Sequence, residues 1–192
     1  MYQPHQPAHM RLFVCVECDE LTAKITAIQE LFEDASGLRF TDPTQAHLTL
    51  KFLGETDAEV VPTLREELAA AIDDADVSPF ELTAGGVGVF PELEYIQVLW
   101  LGIQEGTAEL TRLHRAIENR TTTLGFEPEQ HDFTPHITLA RMDHAGGKSI
   151  VQKEVRSRDP TAGTIRVDAV TLMQSTLTPD GPEYESIERF SL

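Results

Sequence analysis

Residues 47–50 read HLTL and residues 136–139 read HITL, each inside a short apolar run, AHLTLKFLGE in one and PHITLARM in the other. A β-strand sends successive side chains to opposite faces, so His47 and Thr49 share one face while Leu48 and Leu50 share the other. The second copy alternates in the same way: His136 and Thr138 stand together, and Ile137 and Leu139 turn toward a core. Each strand therefore offers an imidazole beside a hydroxyl over an apolar floor.

Working outward from the tetrads, the elements repeat as well. MRLFVCVEC (10–18) reads as a strand, and LTAKITAIQELFEDA (21–35) carries apolar residues at helical spacing until Gly37 stops it. After the first tetrad, DAEVVPTLREELAAAIDDA (57–75) reads as a helix with Pro62 tolerable only near its start. PFELTAGGVGVF (79–90) follows as an extended segment broken by glycines. In the second half, YIQVLWLGI (95–103) is a strand, GTAELTRLHRAIENRTTTLG (106–125) a helix, and the second tetrad strand comes next, with a poorer helical stretch over 148–157. TIRVDAVTLMQSTL (164–177) and YESIERFSL (184–192) close the chain as two strands joined by the turn TPDGPE. The two histidines lie 89 residues apart at matching places in the halves. This is the pattern of a duplicated unit, with two copies of one strand facing each other across a pseudo-two-fold cleft.

With 192 residues, 41% of them hydrophobic, the chain can bury a core as one domain or as two small lobes. No apolar run is long enough to span a membrane, and the polar, Pro-rich opening MYQPHQPAHM does not resemble a secretion signal. Residues 1–9 are expected to be a disordered or appended lead, residues 10–192 a single domain, and the protein cytoplasmic. The net charge of −17, from 32 acidic and 15 basic residues, repels nucleic acid at long range. The acids are scattered through ELFEDAS, REELAAAIDDAD and EPEQHD rather than gathered in a tail, which fits a halophilic surface. In molar salt the Debye length falls to about 3 Å, so a short-range anion site could still work. The Cys15-Val-Glu-Cys18 spacing reads as two unpaired thiols, since no second cysteine pair completes a zinc site and the motif does not open a helix.

Two imidazoles and two hydroxyls converging on one cleft suit in-line displacement at phosphorus. A neutral and a protonated imidazole, each with an ordinary pKa near 6.5, can act as base and acid in one turnover. The hydroxyls can donate to the non-bridging oxygens. This chemistry needs neither a metal nor a cofactor.

The paired tetrads, together with HLTLKFLGE, PFELTAGGVGVFP, VLWLG, LGFEPE, PHITLAR and the closing hairpin, resemble the two-histidine (2H) phosphoesterase superfamily, and within it the LigT-like RNA 2′,3′-cyclic phosphodiesterases of the 2′-5′ RNA ligase family. The resemblance runs from Met10 to Leu192. It implies an α+β fold that is bilobal, with two antiparallel sheets facing a central cleft and helices on their outer faces. It also implies hydrolysis of an RNA terminal 2′,3′-cyclic phosphate, such as that of a tRNA fragment, to a 2′-phosphate, with weak reverse 2′-5′ ligation. By position, His47 matches the general acid, His136 the base, Thr49 and Thr138 the phosphate-binding threonines, and Arg141 the arginine that helps hold the phosphate. Strict alternation would set Arg141 opposite His136 unless a twist or bulge intervenes. No membrane and no obligate protein partner is implied. A phosphodiesterase for a small cyclic nucleotide or an ADP-ribose cyclic phosphate keeps the chemistry and changes the substrate, and a non-catalytic RNA-end binding module would have no need of both proton carriers.

Of the remaining candidates, His114 and His131 read as solvated. Lys51 reads either as a minor phosphate contact on the His47 face or as a solvated edge residue. Phe40 reads as core or rim, and with Arg39 could stack on a base.

Overall fold

The structure, a computed structural model, describes residues 9–179 and 181–192. The expected N-terminal lead lies outside the described residues except for His9, which opens the first strand opposite Asp57. In chain order the elements are β1 (His9–Glu17), α1 (Thr22–Glu30), β2 (Leu38–Phe40), β3 (His47–Asp57), α2 (Val61–Ala75), β4 (Phe80–Glu92) and β5 (Tyr95–Glu105). There follow α3 (Thr107–Thr123), β6 (His136–Met142), α4 (Lys148–Ser157), β7 (Thr161–Val167), β8 (Ala169–Thr178) and β9 (Gly181–Ser191).

All strand pairs are antiparallel and follow the order β7-β4-β5-β6-β3-β1-β8-β9, with β2 added beside β6. The fold is α+β, a curled antiparallel sheet with four α-helices among the described residues. The expectation of two separate sheets is corrected in one respect: strand pairing is continuous, and the halves meet where β3 and β6 share the single registered pair Leu48↔Ile137. They pair no further because β2 occupies the same edge of β6 beyond that point, from Phe40↔Ala140 to Leu38↔Met142. The tetrad strands are thus neighbours at the seam of the duplication.

The stretch read as one strand over 164–177 is two. The chain breaks at Asp168, so that β7 pairs with β4 near one end of the order and β8 with β1 near the other. Asp168 ties this break to the C-terminus: its carbonyl accepts the Leu192 N–H at 2.9 Å and its carboxylate the Arg189 guanidinium at 2.6 Å. The first helix is also shorter than its periodicity suggests, a 3-10 turn at Asp19–Leu21 leading into α1.

Helix formation follows the apolar spacing. α2 buries Leu64, Leu68, Ala71, Ile72 and Ala75, and α3 buries Leu110, Leu113, Ile117 and two polar residues in the same stripe, His114 and Thr121. α2 packs on α3, α3 on β3 and α1 on β7. One core cluster holds Leu12, Leu48, Leu101, Leu110 and Ile137 from both halves, leaving the opposite face of the tetrad strands open.

Candidate active site

At the seam, Leu48 and Ile137 point into the core and are 0% and 1% exposed. Their neighbours alternate outward, so His47, Thr49, His136 and Thr138 all stand half-buried on one face of two adjacent strands. The antiparallel sense of the Leu48↔Ile137 pair sets His47 toward Thr138 and Thr49 toward His136. The pseudo-two-fold axis therefore runs through the middle of the candidate site.

Each imidazole is anchored in the same way. His47 Nδ1 lies 2.8 Å from the Gln45 carbonyl, and His136 Nδ1 lies 2.7 Å from the Thr134 carbonyl. A carbonyl only accepts, so both Nδ1 atoms carry the proton and both Nε2 atoms are left to exchange one. Local sequence aims those carbonyls. Asp42 caps the short turn Pro43–Gln45 by accepting the Thr44 N–H at 2.9 Å, and Pro135 keeps Thr134 out of the helical region.

The position of Arg141 follows from a β-bulge. Along the β5–β6 pair, Ala140 faces Leu99 and Thr138 faces Trp100, so Leu139 is an extra residue. Leu139 and Ala140 are both buried, and the alternation restarts with Arg141 exposed on the His136 face. The first half carries the same device. Lys51 faces Val14 and Thr49 faces Cys15, so Leu50 is the extra residue, and Phe52 is turned onto the His47 face opposite Phe13. Phe52 and Arg141 are thus equivalent positions of the duplication with different chemistry. Arg39 stands directly across the β2–β6 ladder from Arg141, its guanidinium held by Asp143 at 3.2 and 3.3 Å.

Aromatic rings that sequence reasoning missed flank both imidazoles. Tyr184 meets His47 edge-on at 4.9 Å with Phe13 at 5.0 Å, and Phe90 meets His136 edge-on at 4.9 Å with Trp100 at 6.1 Å. Gly88 makes room for the Trp100 ring, which would lie 2.3 Å from any Cβ there. These residues come from β1, β4, β5 and β9, and no local pattern links them to the tetrads. Burial in this shell pushes both imidazoles below their ordinary pKa. The backbone carbonyls pull the other way, while the charge of His136 depresses His47 further and that of Arg141 depresses His136. Two shallow surface hollows, one beside Arg65 and Glu188 and one beside Arg112 and Arg120, lie away from the histidines.

Two readings are corrected. The bulge turns Lys51 into the core, where it is 3% exposed, donates to the Glu127 carbonyl at 2.6 Å and pairs with Glu118 at 2.7 Å. It is neither a phosphate contact nor solvated. His114 is likewise buried, stacked on Phe133 at 4.2 Å with Nδ1 2.8 Å from the Leu50 carbonyl. His131 is exposed, and Phe40 lies on the rim at 37% exposure. Cys15 and Cys18 are free and buried, and burial pushes both thiols up, Cys18 to about 12.

The family model described as the 2′-5′ RNA ligase superfamily matches residues 19–178. A protein named RNA 2′,3′-cyclic phosphodiesterase from Methanothermobacter thermautotrophicus is 31% identical over 186 residues, covering 95% of this chain and 99% of its own length. One of the same name from Archaeoglobus fulgidus is 33% identical over 184 residues, covering 94% and 99%. The crystal structure of E. coli LigT complexed with 3′-AMP superposes with a TM-score of 0.79 at 26% identity, covering 96% of this chain and 99% of that one. A tetrad strand duplicated about one seam and a match along nearly the full length lead to the same conclusion, that this chain belongs to the 2′-5′ RNA ligase superfamily.

Proposed function

We propose that this protein hydrolyses the terminal 2′,3′-cyclic phosphate of RNA to a 2′-phosphate, with His47 and His136 as the proton carriers. The observation that carries the reading is the matched pair of imidazoles, each fixed through Nδ1 to a backbone carbonyl, each beside a threonine, on one face of one seam. Relatives named RNA 2′,3′-cyclic phosphodiesterase at 31–33% identity supply the substrate class.

In this mechanism water attacks phosphorus in line with the 3′-oxygen. His136 Nε2 takes the proton from water as the new P–O bond forms. The P–O3′ bond breaks, and the protonated His47 gives its Nε2 proton to the departing 3′-oxygen. Products are a 2′-phosphate and a 3′-hydroxyl, and both histidines end with protonation states exchanged, to be reset by solvent. Thr49, Thr138 and the Arg141 guanidinium hold the non-bridging oxygens as charge builds on them. With a 5′-hydroxyl in place of water as the attacking group, the same displacement would join RNA ends 2′-5′, the 3′-oxygen again taking the proton from His47 as it leaves. We read residues 10–192 as one bilobal domain whose halves flank the cleft, working in the cytoplasm on such ends as those of tRNA fragments.

A short RNA ending in a 2′,3′-cyclic phosphate tests this directly. The expected product is the 2′-phosphate, formed at the same rate with and without EDTA, because the site groups are imidazole, hydroxyl and guanidinium. Among the described residues no three His, Cys, Asp or Glu side chains gather at metal-ligand spacing. Turnover that vanishes in EDTA and returns with one divalent cation would contradict the mechanism. Turnover only of small cyclic nucleotides, or binding without turnover, would shift the substrate or remove the catalysis.

The depressed imidazoles also set the pH dependence. The base must be neutral, which holds above its lowered pKa, and the acid must be protonated, which holds below its own. Both limbs of the kcat/KM profile therefore move to the acid side, and the maximum is expected below about 6.5. The two apparent values belong to the coupled pair. A maximum on the alkaline side of neutrality would overturn this assignment.

A further inference from the structure

We infer that His114 and Gln29 are positioning residues, and that they act crosswise: each is carried by the helix of one half and sets the tetrad strand of the other. The inference rests on the proposed phosphodiesterase chemistry and names what holds that site in shape.

A bulge leaves its extra residue short of a ladder partner, so the carbonyl at that residue must find a donor elsewhere or remain a buried orphan. In β3 the bulge residue is Leu50, and its carbonyl lies 2.8 Å from His114 Nδ1 on α3. In β6 it is Leu139, and its carbonyl accepts Gln29 Nε2 on α1 at 3.0 Å, along with the Thr41 N–H at 3.0 Å and the Thr41 hydroxyl at 3.1 Å. Gln29 Nε2 also reaches the Thr41 carbonyl at 2.9 Å, which binds the two contacts together. Gln29 and His114 are each 8% exposed, and each is a polar residue inside the apolar stripe of its helix. A helix packed into the core by leucines and isoleucines alone would not need either.

What these donors hold is the hinge of the site. Each bulge directly follows a tetrad threonine and precedes by two residues the side chain it rotates onto the catalytic face, Phe52 in one half and Arg141 in the other. Fixing the bulge carbonyl to a rigid helix fixes the angle between the His/Thr pair before it and the Phe or Arg after it. On α3 the hold is doubled, since Glu118, one turn beyond His114, pairs with Lys51 immediately after the bulge. His114 has its own ring set by the stack on Phe133, so the donor is preorganised. Misplacing reacting groups by about 1 Å can cost about 100-fold, so a tether of this kind has consequences for rate out of proportion to its bond strength.

The crossing supplies the test. His114→Phe keeps the ring and its stack but removes the donor, and Gln29→Met keeps the length but removes the amide. His114→Phe is expected to move the NMR signals of the His47 ring and the Thr49 amide while leaving those of His136 and Thr138 nearly in place. Gln29→Met is expected to do the reverse. Each is expected to lower kcat by about 10- to 100-fold with little change in KM, and His114→Asn, which returns an N–H donor at the same distance along the side chain, to recover most of the loss. The wild-type protein provides a measurement that needs no variant: long-range ¹H–¹⁵N correlation of the His114 ring must show the proton on Nδ1. The inference is overturned by an unprotonated Nδ1, by variants that perturb both tetrads alike, or by variants that lower only the thermal midpoint. Because the NMR pattern is read on the free protein, it stands or falls separately from the substrate assay.

Discussion

Replacing His47 or His136 with alanine is expected to lower turnover by about 10²- to 10⁴-fold, since in the proposed mechanism each imidazole carries one proton transfer of a single displacement. The fold should survive both changes. Neither ring belongs to the apolar core cluster, and the core faces of the two strands are occupied by Leu48, Leu50, Ile137 and Leu139. Removing both together should cost far less than the product of the single losses, because acid and base act on one transition state and either deletion already disables the concerted step. Circular dichroism checks the fold and single-turnover kinetics the rate. Single variants that retain wild-type turnover, or a double variant whose losses multiply in full, would rule out paired acid–base catalysis here.

A second large effect is expected far from the reacting atoms. Glu118→Ala leaves the Lys51 ammonium, 2% exposed at its side chain, with only the Glu127 carbonyl in a site built for an ion pair. Stranding a buried charge costs about 3 kcal/mol or more. For a chain of this size that is a fall of roughly 6–12 °C in thermal midpoint. Replacing both partners, Lys51→Met with Glu118→Leu, should restore most of the loss, because the desolvation cost of both charges disappears with them. A Glu118→Ala protein melting within a degree of wild type would show that Lys51 escapes to water when its partner is gone.

The tetrads were legible because strand alternation is a local rule, and four residues suffice to place His47, Thr49, His136 and Thr138 on one kind of face. Their spacing at matching places in two repeated halves points to the duplication, whereas the pairing of the two strands side by side in one sheet is settled only by topology. A bulge, by contrast, adds one residue without altering the composition around it. Its only trace is two adjacent inward positions, Leu50–Lys51 and Leu139–Ala140. The second pair could be taken for an ordinary apolar run. In the first, strict alternation sets Lys51 on the His47 face, and only the extra residue at Leu50 turns it inward. His114 lies in the apolar stripe of Leu110, Leu113 and Ile117, which marks it as facing inward, but nothing in the sequence records a carbonyl waiting on a strand 64 residues earlier. The break at Asp168 was equally silent, since both halves of that run are strand and only the partners change. The aromatic shell is assembled from four strands, and proximity of that kind is decided by topology alone.

The unlike pair at the two bulge positions has a further consequence. A cleft made by duplication is in itself a palindrome, reading the same from either end, and a ligand could enter it forwards or backwards with the two histidines trading places. Arginine at 141 and phenylalanine at 52 give the cleft a head and a tail. A molecule with an anionic end and a flat apolar end has only one orientation in which both are answered, so the duplicated scaffold supplies two matched imidazoles and one unmatched pair of residues tells them apart.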